Sequence, residues 1–509
     1  MLAKVQSGAV VGVDGVGVEV EVDLGKGMMM FSTVGLPSSA VTESRTRVRS
    51  ALENTGFRFP QRRVVVNLAP AHLRKEGTAY DLPIALAILA ADGQIPSNSL
   101  DDYLVVGELA LDGQLRPVRG ILALAAWARR VGIRRLIVPR ENGSEGAVVE
   151  GVEVYHARSL EEVISGLRGE GPLTRSSPSL LSEDKGDPGI DLADVRGQEA
   201  ARRALEISAA GGHNLLLLGP PGAGKTMLAR RLPTIAPPLT FQERLEASII
   251  ASVAGTLPSG SALLDARPFR APHHSLSSVA LTGGGARCRP GEVSLAHHGV
   301  LFLDELPEFR RAALEALRLP LEDGEVLISR AALSLSWPAR FTLIAAMNPC
   351  PCGYHGHPMR QCHCDPKAVR RYLSRLSGPL LDRIDLQVSV DAVDPLTLQH
   401  APPGEPSAAV RARVEAARER QRTRLRADGL FTNAQLRPRE LRRDCQLDQH
   451  GTHLMRRSVE KMGLSARAHD RILKVARTIA DLEGRAEIGP GELAEALQYR
   501  QLDRLAESL

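Results

Sequence analysis

A glycine-rich loop constrains the fold of this chain more than any other part of its sequence. The loop reads Gly219-Pro220-Pro221-Gly222-Ala223-Gly224-Lys225-Thr226 and follows a run of leucines from Leu215 to Leu218. Such a run is typical of a central strand in a parallel sheet, and a helical pattern begins at Met227. Glycines let backbone N–H groups approach phosphate oxygens, and the N-terminus of the helix adds its dipole. The sequence therefore predicts an α/β domain that binds a nucleoside triphosphate, with Lys225 on the β- and γ-phosphates.

Two carboxylates follow a second apolar run, Val300 to Leu303. We assign Asp304, together with the Thr226 hydroxyl, to a Mg²⁺ ion, and Glu305 to the water that attacks the γ-phosphate. A solvated strand end would also carry two acids, so the pair is informative chiefly because a phosphate-binding loop precedes it. ATP and Mg²⁺ are therefore the expected cofactors.

A third apolar run, 341–347, ends at Asn348. Because the carboxyl ends of parallel strands meet at one edge of a sheet, this amide is expected near the γ-phosphate, where it senses the phosphate or positions water. The alternative is a turn-forming asparagine before Pro349.

The patterns along the chain divide it into four parts. Residues 1–167 alternate short strands with a few helices, as in an α+β domain, and residues 168–190 are rich in Gly, Pro, Ser and mixed charge, as in a linker. Residues 191–393 carry the α/β pattern, and residues 394–509 are helical. With no apolar stretch long enough for a membrane span or a secretory signal, we expect a cytoplasmic protein without a membrane partner.

The charge balance is mildly basic. The net charge of +5 permits a polyanionic partner but does not single one out. Aromatic residues make up only 3% of the chain, which argues against base stacking as the main mode of any nucleic-acid binding.

Four cysteines cluster directly after Asn348. They are Cys350, Cys352, Cys362 and Cys364. In an intracellular protein such a cluster favours a metal over disulfides, and four thiolates suit tetrahedral Zn²⁺. The C-x-C spacing is tighter than the usual C-x₂-C, so one thiol could be replaced by a nearby histidine; the candidates are His355, His357 and His363. Unliganded thiols are the alternative, and Cys288 and Cys445 look solitary.

Several segments match motifs of one known family. They are 67–71, 194–198, the glycine-rich loop, 269–275, 283–285, 290–297, 377–386 and 464–482. On these motifs, which extend along nearly the whole chain, the sequence resembles the magnesium-chelatase-like AAA+ ATPases of the ComM/YifB family. The resemblance implies an AAA+ parallel-sheet core over 191–393 with a helical lid over 394–509.

The resemblance also implies roles for residues that their own spacing leaves open. Arg383 would be the arginine finger, contributed to the ATP of a neighbouring subunit, and Arg467 the sensor-2 arginine of the lid. Asn348 would be sensor 1, and Val195 and Gln198 would lie near the adenine. A finger that acts in trans requires a closed ring, so a homo-hexamer formed on nucleotide or DNA binding is expected. Without the resemblance, surface ion pairs would be the favoured interpretation of both arginines.

The segment between the helix after the glycine-rich loop and Asp304 is longer than a minimal P-loop domain needs. It resembles the helix-2 insertion of ring helicases and chelatases, and 325–340 resembles the hairpin that precedes sensor 1. Such elements point into the central channel of the ring, which makes Arg287, Arg289 and Arg330 candidate contacts to DNA phosphates. A solvated basic residue is the alternative for each.

The N-terminal domain resembles the proteolytic domain of Lon proteases. The position of the Lon serine is Ala79, and that of the Lon lysine is Leu122. Without nucleophile or base, peptide hydrolysis has no chemistry to run on. The expected fold is therefore an AAA+ core with a helical lid, preceded by an inactive, Lon-like α+β domain.

Three functions compete. The resemblance favours an ATP-hydrolysing ring motor on single-stranded or branched DNA, with helicase or branch-migration activity in natural transformation and recombination. A chelatase-type ATPase is the first alternative; chelatase ATPases lack the Lon-like domain and the cysteine cluster. A protein-remodelling AAA+ ATPase is the second. The residues themselves indicate only the ATPase.

Overall fold

The computed structural model describes residues 1–178, 189–258, 261–285, 288–330, 333–357, 359–392 and 402–500. The chain forms two compact units: unit 1 comprises Met1–Glu183 and Arg244–Asp265, and unit 2 comprises Asp184–Glu243 and Ala266–Leu509. The boundary at residue 183 falls within the segment expected to be a linker. The residues expected to form the core and the lid belong to unit 2, except Arg244–Asp265, which lies within the expected core but belongs to unit 1.

Among its described residues, unit 1 contains ten strands. They are β1 Leu2–Val11, β2 Asp14–Gly25, β3 Met30–Val34, β4 Arg63–Ala69, β5 Tyr103–Val105, β6 Glu108–Leu109, β7 Leu115–Arg116, β8 Arg135–Pro139, β9 Glu153–Ala157 and β10 Thr174–Arg175. Eight of them form one mixed sheet in the order β10-β9-β8-β5-β1-β2-β4-β3, while β6 and β7 form a separate hairpin. Strand β10 lies inside the expected linker, where the Ser176 N–H also donates to the Val154 carbonyl at 2.7 Å.

The helices of unit 1 cover the sheet. The α-helices are Ser39–Thr42, Ser44–Asn54, Asp81–Ala91, Ile121–Val131, Gly143–Ala147, Leu160–Arg168 and the part of Phe241–Ala254 from Arg244 onward; the 3₁₀ helices are Ser97–Leu100 and Arg140–Asn142. Every residue of Asp81–Ala91 is buried, as its continuous apolar sequence predicts.

The segment Arg244–Asp265 supplies part of the core of unit 1. Its residues Ala262 and Leu263 are buried in the cluster that also contains Leu122. The buried carboxylate of Glu145 accepts the Ser252 hydroxyl and, at 3.1 Å, the backbone N–H of Leu122. A stretch that follows the glycine-rich loop in sequence thus completes the N-terminal unit.

Unit 2 contains nine strands in its described part. They are β11 Leu215–Leu218, β12 Phe269–Arg270, β13 Gly283–Gly284, β14 Arg289–Pro290, β15 Val300–Leu303, β16 Glu325–Arg330, β17 Leu333–Pro338, β18 Thr342–Met347 and β19 Leu386–Ser389. Five of them form a parallel sheet in the order β12-β15-β18-β11-β19. All four leucines of β11 are buried, as in a strand covered on both faces. The predicted parallel-sheet α/β core is confirmed.

Helices surround this sheet and form the C-terminal region. The α-helices are Glu199–Gly211, Lys225–Ile235, Ser278–Thr282, Glu292–Leu295, Arg311–Ala316, Arg318–Asp323, Pro366–Leu373, Gly378–Leu381, Ser407–Leu425, Pro438–Asp444, Gln449–Met462, Ala466–Leu482 and Pro490–Gln498; the 3₁₀ helices are Leu192–Asp194, Leu306–Glu308, Arg426–Asp428 and Asn433–Gln435. One continuous core joins the sheet to the C-terminal helices.

Across the described ranges, no helix combines the length and the apolar character that a bilayer span requires.

Candidate nucleotide site

Three neighbouring strands of unit 2 end at one cleft. Strand β18 lies between β11 and β15, and all three run parallel, so their carboxyl ends share one edge of the sheet. The cleft has a volume of about 420 Å³, within the range of ligand pockets. Its lining is Pro221, Gly222, Ala223, Gly224, Lys225, Thr226, Met227, Asp304, Glu305, Met347 and Asn348.

Glycines shape the loop at the mouth of the cleft. Gly222 and Gly224 have φ of 80° and 87°, which side chains rarely tolerate. A Cβ at Gly219 would collide with the carbonyl of Val390. The loop therefore requires glycine at these positions, and the first residues of the helix Lys225–Ile235 belong to the lining of the cleft.

Lys225 holds the loop together from inside the cleft. Its Nζ donates to the carbonyls of Gly219 at 2.7 Å and Pro220 at 2.9 Å, and to Oδ1 of Asn348 at 3.1 Å. Burial lowers the pKa of Lys225, and the carboxylates of Asp304 and Glu305 partly offset this. All three acceptors are neutral oxygens, so phosphate oxygens can replace them at this ammonium group with a gain in charge pairing.

The two expected Mg²⁺ ligands lie next to each other. The Thr226 hydroxyl donates to Oδ2 of Asp304 at 2.7 Å, although the two residues come from different strand ends. Oδ1 of Asp304 accepts the backbone N–H of Glu305 at 2.9 Å, which fixes the carboxylate. A hydroxyl and a carboxylate at the edge of an open cleft fit the oxygen coordination that Mg²⁺ prefers, with room for water and phosphate.

Glu305 lies next to a histidine, His274, that the sequence motifs did not place at the site. Nδ1 of His274 lies 3.3 Å from Oε2 of Glu305. His274 follows β12, which pairs with β15, the strand that delivers Glu305. Glu305 itself has a left-handed φ of 52°, which turns its side chain away from the run of the strand. The position of His274 just after an edge strand beside β15 is the signal that could have revealed it.

The segment expected near the adenine precedes the helix Glu199–Gly211. Val195 is buried, and Nε2 of Gln198 donates to the Asp391 carbonyl at 2.6 Å. Arg231, on the helix that follows the glycine-rich loop, donates to Oδ2 of Asp194 at 2.7 Å and to the Asp191 carbonyl at 2.7 Å. The bonds of Arg231 tie the segment to the helix that follows the glycine-rich loop, although Val195 and Gln198 do not line the described cleft.

The two arginines assigned by resemblance have opposite surroundings. Arg383 is 8% exposed; it donates to the Pro379 carbonyl at 2.7 Å and forms an ion pair with Glu322. Arg467 is exposed at the start of the helix Ala466–Leu482. Neither lines the cleft of this chain, as far as the structure describes it.

A buried ion pair connects the two arginine segments. Asp385 pairs with Arg471, on the helix that carries Arg467, and Nδ1 of His213 lies 3.4 Å from its carboxylate. Burial by itself raises the pKa of Asp385, but Arg471 and His213 outweigh this and hold the pKa well below its ordinary value. The carboxylate is therefore charged at neutral pH and fixes the start of β19 to the helix Ala466–Leu482.

Two hairpins carry the arginines expected to contact DNA. Arg289 is exposed on β14, which pairs with β13, and β16 pairs with β17. The hairpins are neighbours, because a Cβ at Gly283 would lie 3.4 Å from Cδ1 of Ile328. Arg330 ends β16, but its side chain lies outside the described part, as does the whole of Arg287.

The four clustered cysteines come together in space. Their sulfur atoms all lie within 4.8 Å of one another. Cys350 is buried and the other three are half-buried. Hydrogen bonds from the backbone N–H groups of Tyr354 and His363 lower the pKa of Cys352 to about 6, which favours its thiolate. Nδ1 of His357 accepts two backbone N–H groups of its own turn, from Met359 and Arg360 at 3.0 Å each.

Comparison with known proteins places these features in one family. The family described as magnesium chelatase, subunit ChlI, matches residues 191–398; subunit ChlI of Mg-chelatase matches 20–142, and the ChlI C-terminal family matches 404–500. The uncharacterized protein YifB of Salmonella typhimurium is 47% identical over 99% of this chain and 98% of its own. Competence protein ComM of Haemophilus influenzae is 46% identical over 100% of this chain and 99% of its own. The chain belongs to the magnesium-chelatase-like ComM/YifB family.

The matched ranges agree with the motifs of the ComM/YifB family that the sequence suggested. Residues 191–398 include the whole cleft and Arg383, and residues 404–500 include Arg467. The archaeal Lon protease of Methanocaldococcus jannaschii is also similar, at 25% identity over 20% of this chain and 15% of its own. The family resemblance is confirmed, while the likeness to Lon is confined to a short stretch.

Proposed function

We propose that this chain is an ATP-hydrolysing ring motor that acts on single-stranded or branched DNA, as a helicase or branch-migration factor in natural transformation and homologous recombination. The observation that carries the ATPase is the cleft in which Lys225 meets Asn348 and Thr226 meets Asp304. DNA as substrate is supported by the full-length similarity to a relative named competence protein ComM.

The residues of the cleft divide the chemistry of phosphoryl transfer among them. Lys225 exchanges the Gly219 and Pro220 carbonyls for β- and γ-phosphate oxygens. Thr226 and Asp304 would hold Mg²⁺, and the ion would supply positive charge to offset that of the transferring phosphoryl group. Glu305, oriented by His274, positions the attacking water and accepts its proton. Asn348 is released from Lys225 and bonds the γ-phosphate.

We assign DNA contact to the two neighbouring hairpins, β13–β14 and β16–β17. Arg289 is exposed on the β13–β14 hairpin, next to β16 and β17. Arg287 and Arg330 belong to the same two loops in sequence. Contacts from arginines to phosphates would be independent of sequence and sensitive to salt.

The ring is proposed from Arg383. In this chain Arg383 forms an ion pair with Glu322. That ion pair must break before Arg383 can contact the γ-phosphate bound by a neighbouring subunit. Assembly into a hexamer on nucleotide or DNA binding would supply the competing anion. The Asp385–Arg471 pair would then couple the finger segment to the helix of Arg467, which acts as sensor 2, while Val195 and Gln198 border the adenine. Unit 1 is proposed as a Lon-like domain without its catalytic pair, retained for assembly or partner binding.

A branch-migration assay tests the motor. The purified chain, with ATP and Mg²⁺, is expected to convert a synthetic four-way junction into separate DNA products by branch migration, whereas the Lys225→Met variant should be inactive. ATP turnover should rise with branched or single-stranded DNA. Turnover that responds to neither DNA, with no binding at low salt, would contradict the DNA half of the proposal and leave the ATPase.

Subunit mixing tests the ring. Lys225→Met has a dead site but an intact finger, and Arg383→Ala has an intact site but no finger. If the finger acts in trans, mixing the two inactive proteins restores turnover at interfaces that pair a good site with a good finger. Mixtures as inactive as the parents, with monomers by light scattering in the presence of an ATP analogue, would refute the ring.

A further inference from the structure

The loop 350–364 gathers four sulfur atoms at separations that suit a metal. Sγ of Cys350 lies 3.4 Å from Sγ of Cys352 and 3.7 Å from Sγ of Cys362, and the last two are 3.6 Å apart. Thiolates around one zinc ion stand about 3.8 Å apart, since each Zn–S bond is about 2.3 Å long and the geometry is tetrahedral. A disulfide would instead require about 2.05 Å.

The ligand set is complete with cysteines alone. Cys364 joins the other three within the same 4.8 Å, and its backbone N–H donates to the sulfur of Cys362. Nδ1 of His357 is already used by its own turn. A Cys₄ set of this kind closes a structural zinc site, without the open position that a catalytic zinc needs.

The same loop packs against the nucleotide cleft. Gly353, with φ of +83°, lies so close to the glycine-rich loop that an added Cβ would be 2.5 Å from Cδ of Pro221. That Cβ would also lie 3.7 Å from Cγ of Asn348, which precedes Cys350 by two residues. The cysteine loop therefore touches two parts of the cleft lining at once.

We propose that Cys350, Cys352, Cys362 and Cys364 bind one structural zinc ion, and that the loop closed by this zinc braces Pro221 and Asn348 for ATP binding. A loop with few apolar side chains cannot hold its own shape, and metal binding supplies the folding energy. Loss of zinc frees Gly353 and lets the glycine-rich loop and Asn348 drift apart. The brace rests on the proposed ATPase, whereas the zinc site does not.

Zinc content tests the site directly. The full chain, purified without chelators, should contain about one zinc ion by mass spectrometry of the metal. Cys352→Ser and Cys362→Ser should lose it, and Cys445→Ala, which changes a buried cysteine outside the cluster, should keep it. A metal-free wild-type chain whose clustered thiols all react with a thiol reagent under native conditions would overturn the site.

Binding of a fluorescent ATP analogue tests the brace. Zinc-free Cys352→Ser is expected to bind about tenfold more weakly, as when support around a site is lost, and wild-type protein stripped of zinc should recover on reloading with Zn²⁺. Gly353→Ala keeps all four ligands, so it should retain zinc and still bind the analogue weakly. Unchanged Trp337 fluorescence, measured in a Trp127→Phe background, shows that unit 2 remains folded.

The outcomes separate the two proposals. Equal affinity for the analogue with and without zinc would overturn the brace while the zinc site stands. Zinc-loaded protein that binds no nucleotide at all would overturn the proposed ATPase, and the zinc content would be unaffected by that failure.

Discussion

A lysine and a threonine follow a strand of the main sheet in each unit, with different consequences. In unit 2 they are Lys225 and Thr226, after β11. In unit 1 they are Lys75 and Thr78, between β4 and the helix Asp81–Ala91. Both lysines donate to carbonyls of their own loop; for Lys75 the acceptor is Pro70.

The difference lies in what surrounds these bonds. Thr226 and Asp304 are open to a cleft, and Lys225 also holds Asn348, so a ligand can displace every partner. Lys75 is fully buried, burial lowers its pKa, and Thr78 donates to the Glu108 carboxylate. The same residue types therefore line an open cleft in one unit and form a structural contact in the other.

Paired substitution of the two lysines is the strongest way to break this contrast. Lys225→Met should reduce ATP turnover about 1,000-fold or more, because the positive charge at the transferred phosphate is lost. Lys75→Met should leave turnover within about twofold for the folded protein. Steady-state phosphate release measures both, and circular dichroism verifies folding.

Loss of turnover in folded Lys75→Met, comparable to that in Lys225→Met, would show that unit 1 takes part in the reaction. The contrast drawn from burial would then be incorrect.

Asp81 tests the structural role of the polar groups in unit 1. Its buried carboxylate accepts Nε of Arg47 at 2.6 Å, NH2 of Arg47 at 3.0 Å and the Leu109 N–H at 3.3 Å. Asp81→Ala leaves these donors without an acceptor, so the free energy of unfolding of unit 1 should fall by about 3 kcal/mol. The chain has two tryptophans, Trp127 in unit 1 and Trp337 in unit 2, so Trp127 fluorescence in a Trp337→Phe background follows this unit alone.

In the reciprocal background, Trp127→Phe, the urea midpoint reported by Trp337 should not change with Asp81→Ala. An equal shift of both probes would mean that the two units unfold as one.

His274 sharpens the comparison within the cleft. His274→Ala should lower the turnover number about tenfold with little change in nucleotide affinity, because Glu305 loses the group that orients it. His274→Gln, which retains a donor, should recover part of the loss. His469→Ala, at a histidine paired with Asp470, is the control. Turnover at the wild-type level in His274→Ala would leave the histidine without a role in positioning.

The smallest expected effect concerns the buried carboxylate of Asp385 in unit 2. Asp385 has a pKa lowered by Arg471 and His213, so it stabilises the fold above the unfolded pKa of about 3.9 and loses this contribution as the pH falls. Between about pH 5 and about pH 4, the free energy of unfolding of unit 2, followed by Trp337 fluorescence, should fall by an amount on the order of 1 kcal/mol or less. Asp385→Asn should flatten this dependence, and an identical slope in the variant would exclude Asp385 as its source.

Local patterns were enough to predict the core of the nucleotide site. The leucine run of β11 with its glycine-rich loop, and the acids after β15, are each recognisable as a short continuous segment. The parallel order of the strands then brings the two segments together at one edge of the sheet. Features that depend on distant pairing were not predictable in the same way. The turn at Gly12 and Val13 is one of them, because it is the antiparallel pairing of β1 with β2 that defines it.

Side-chain partners were the least predictable part. Nothing local to His274 indicates that it reaches Glu305, and the helix pattern of Phe241–Ala254 does not reveal that its residues from Arg244 onward pack in unit 1. Both depend on which buried surfaces and charges find each other across long separations in the chain.

The course of Arg244–Asp265 limits how this molecule can be divided. A fragment ending near residue 183 lacks Ala262 and Leu263, and so would expose the hollow that they fill. A fragment starting near residue 190 retains these apolar residues but lacks the unit 1 residues that they pack against. A single cut between residues 183 and 190 therefore leaves neither fragment with the complete core of unit 1.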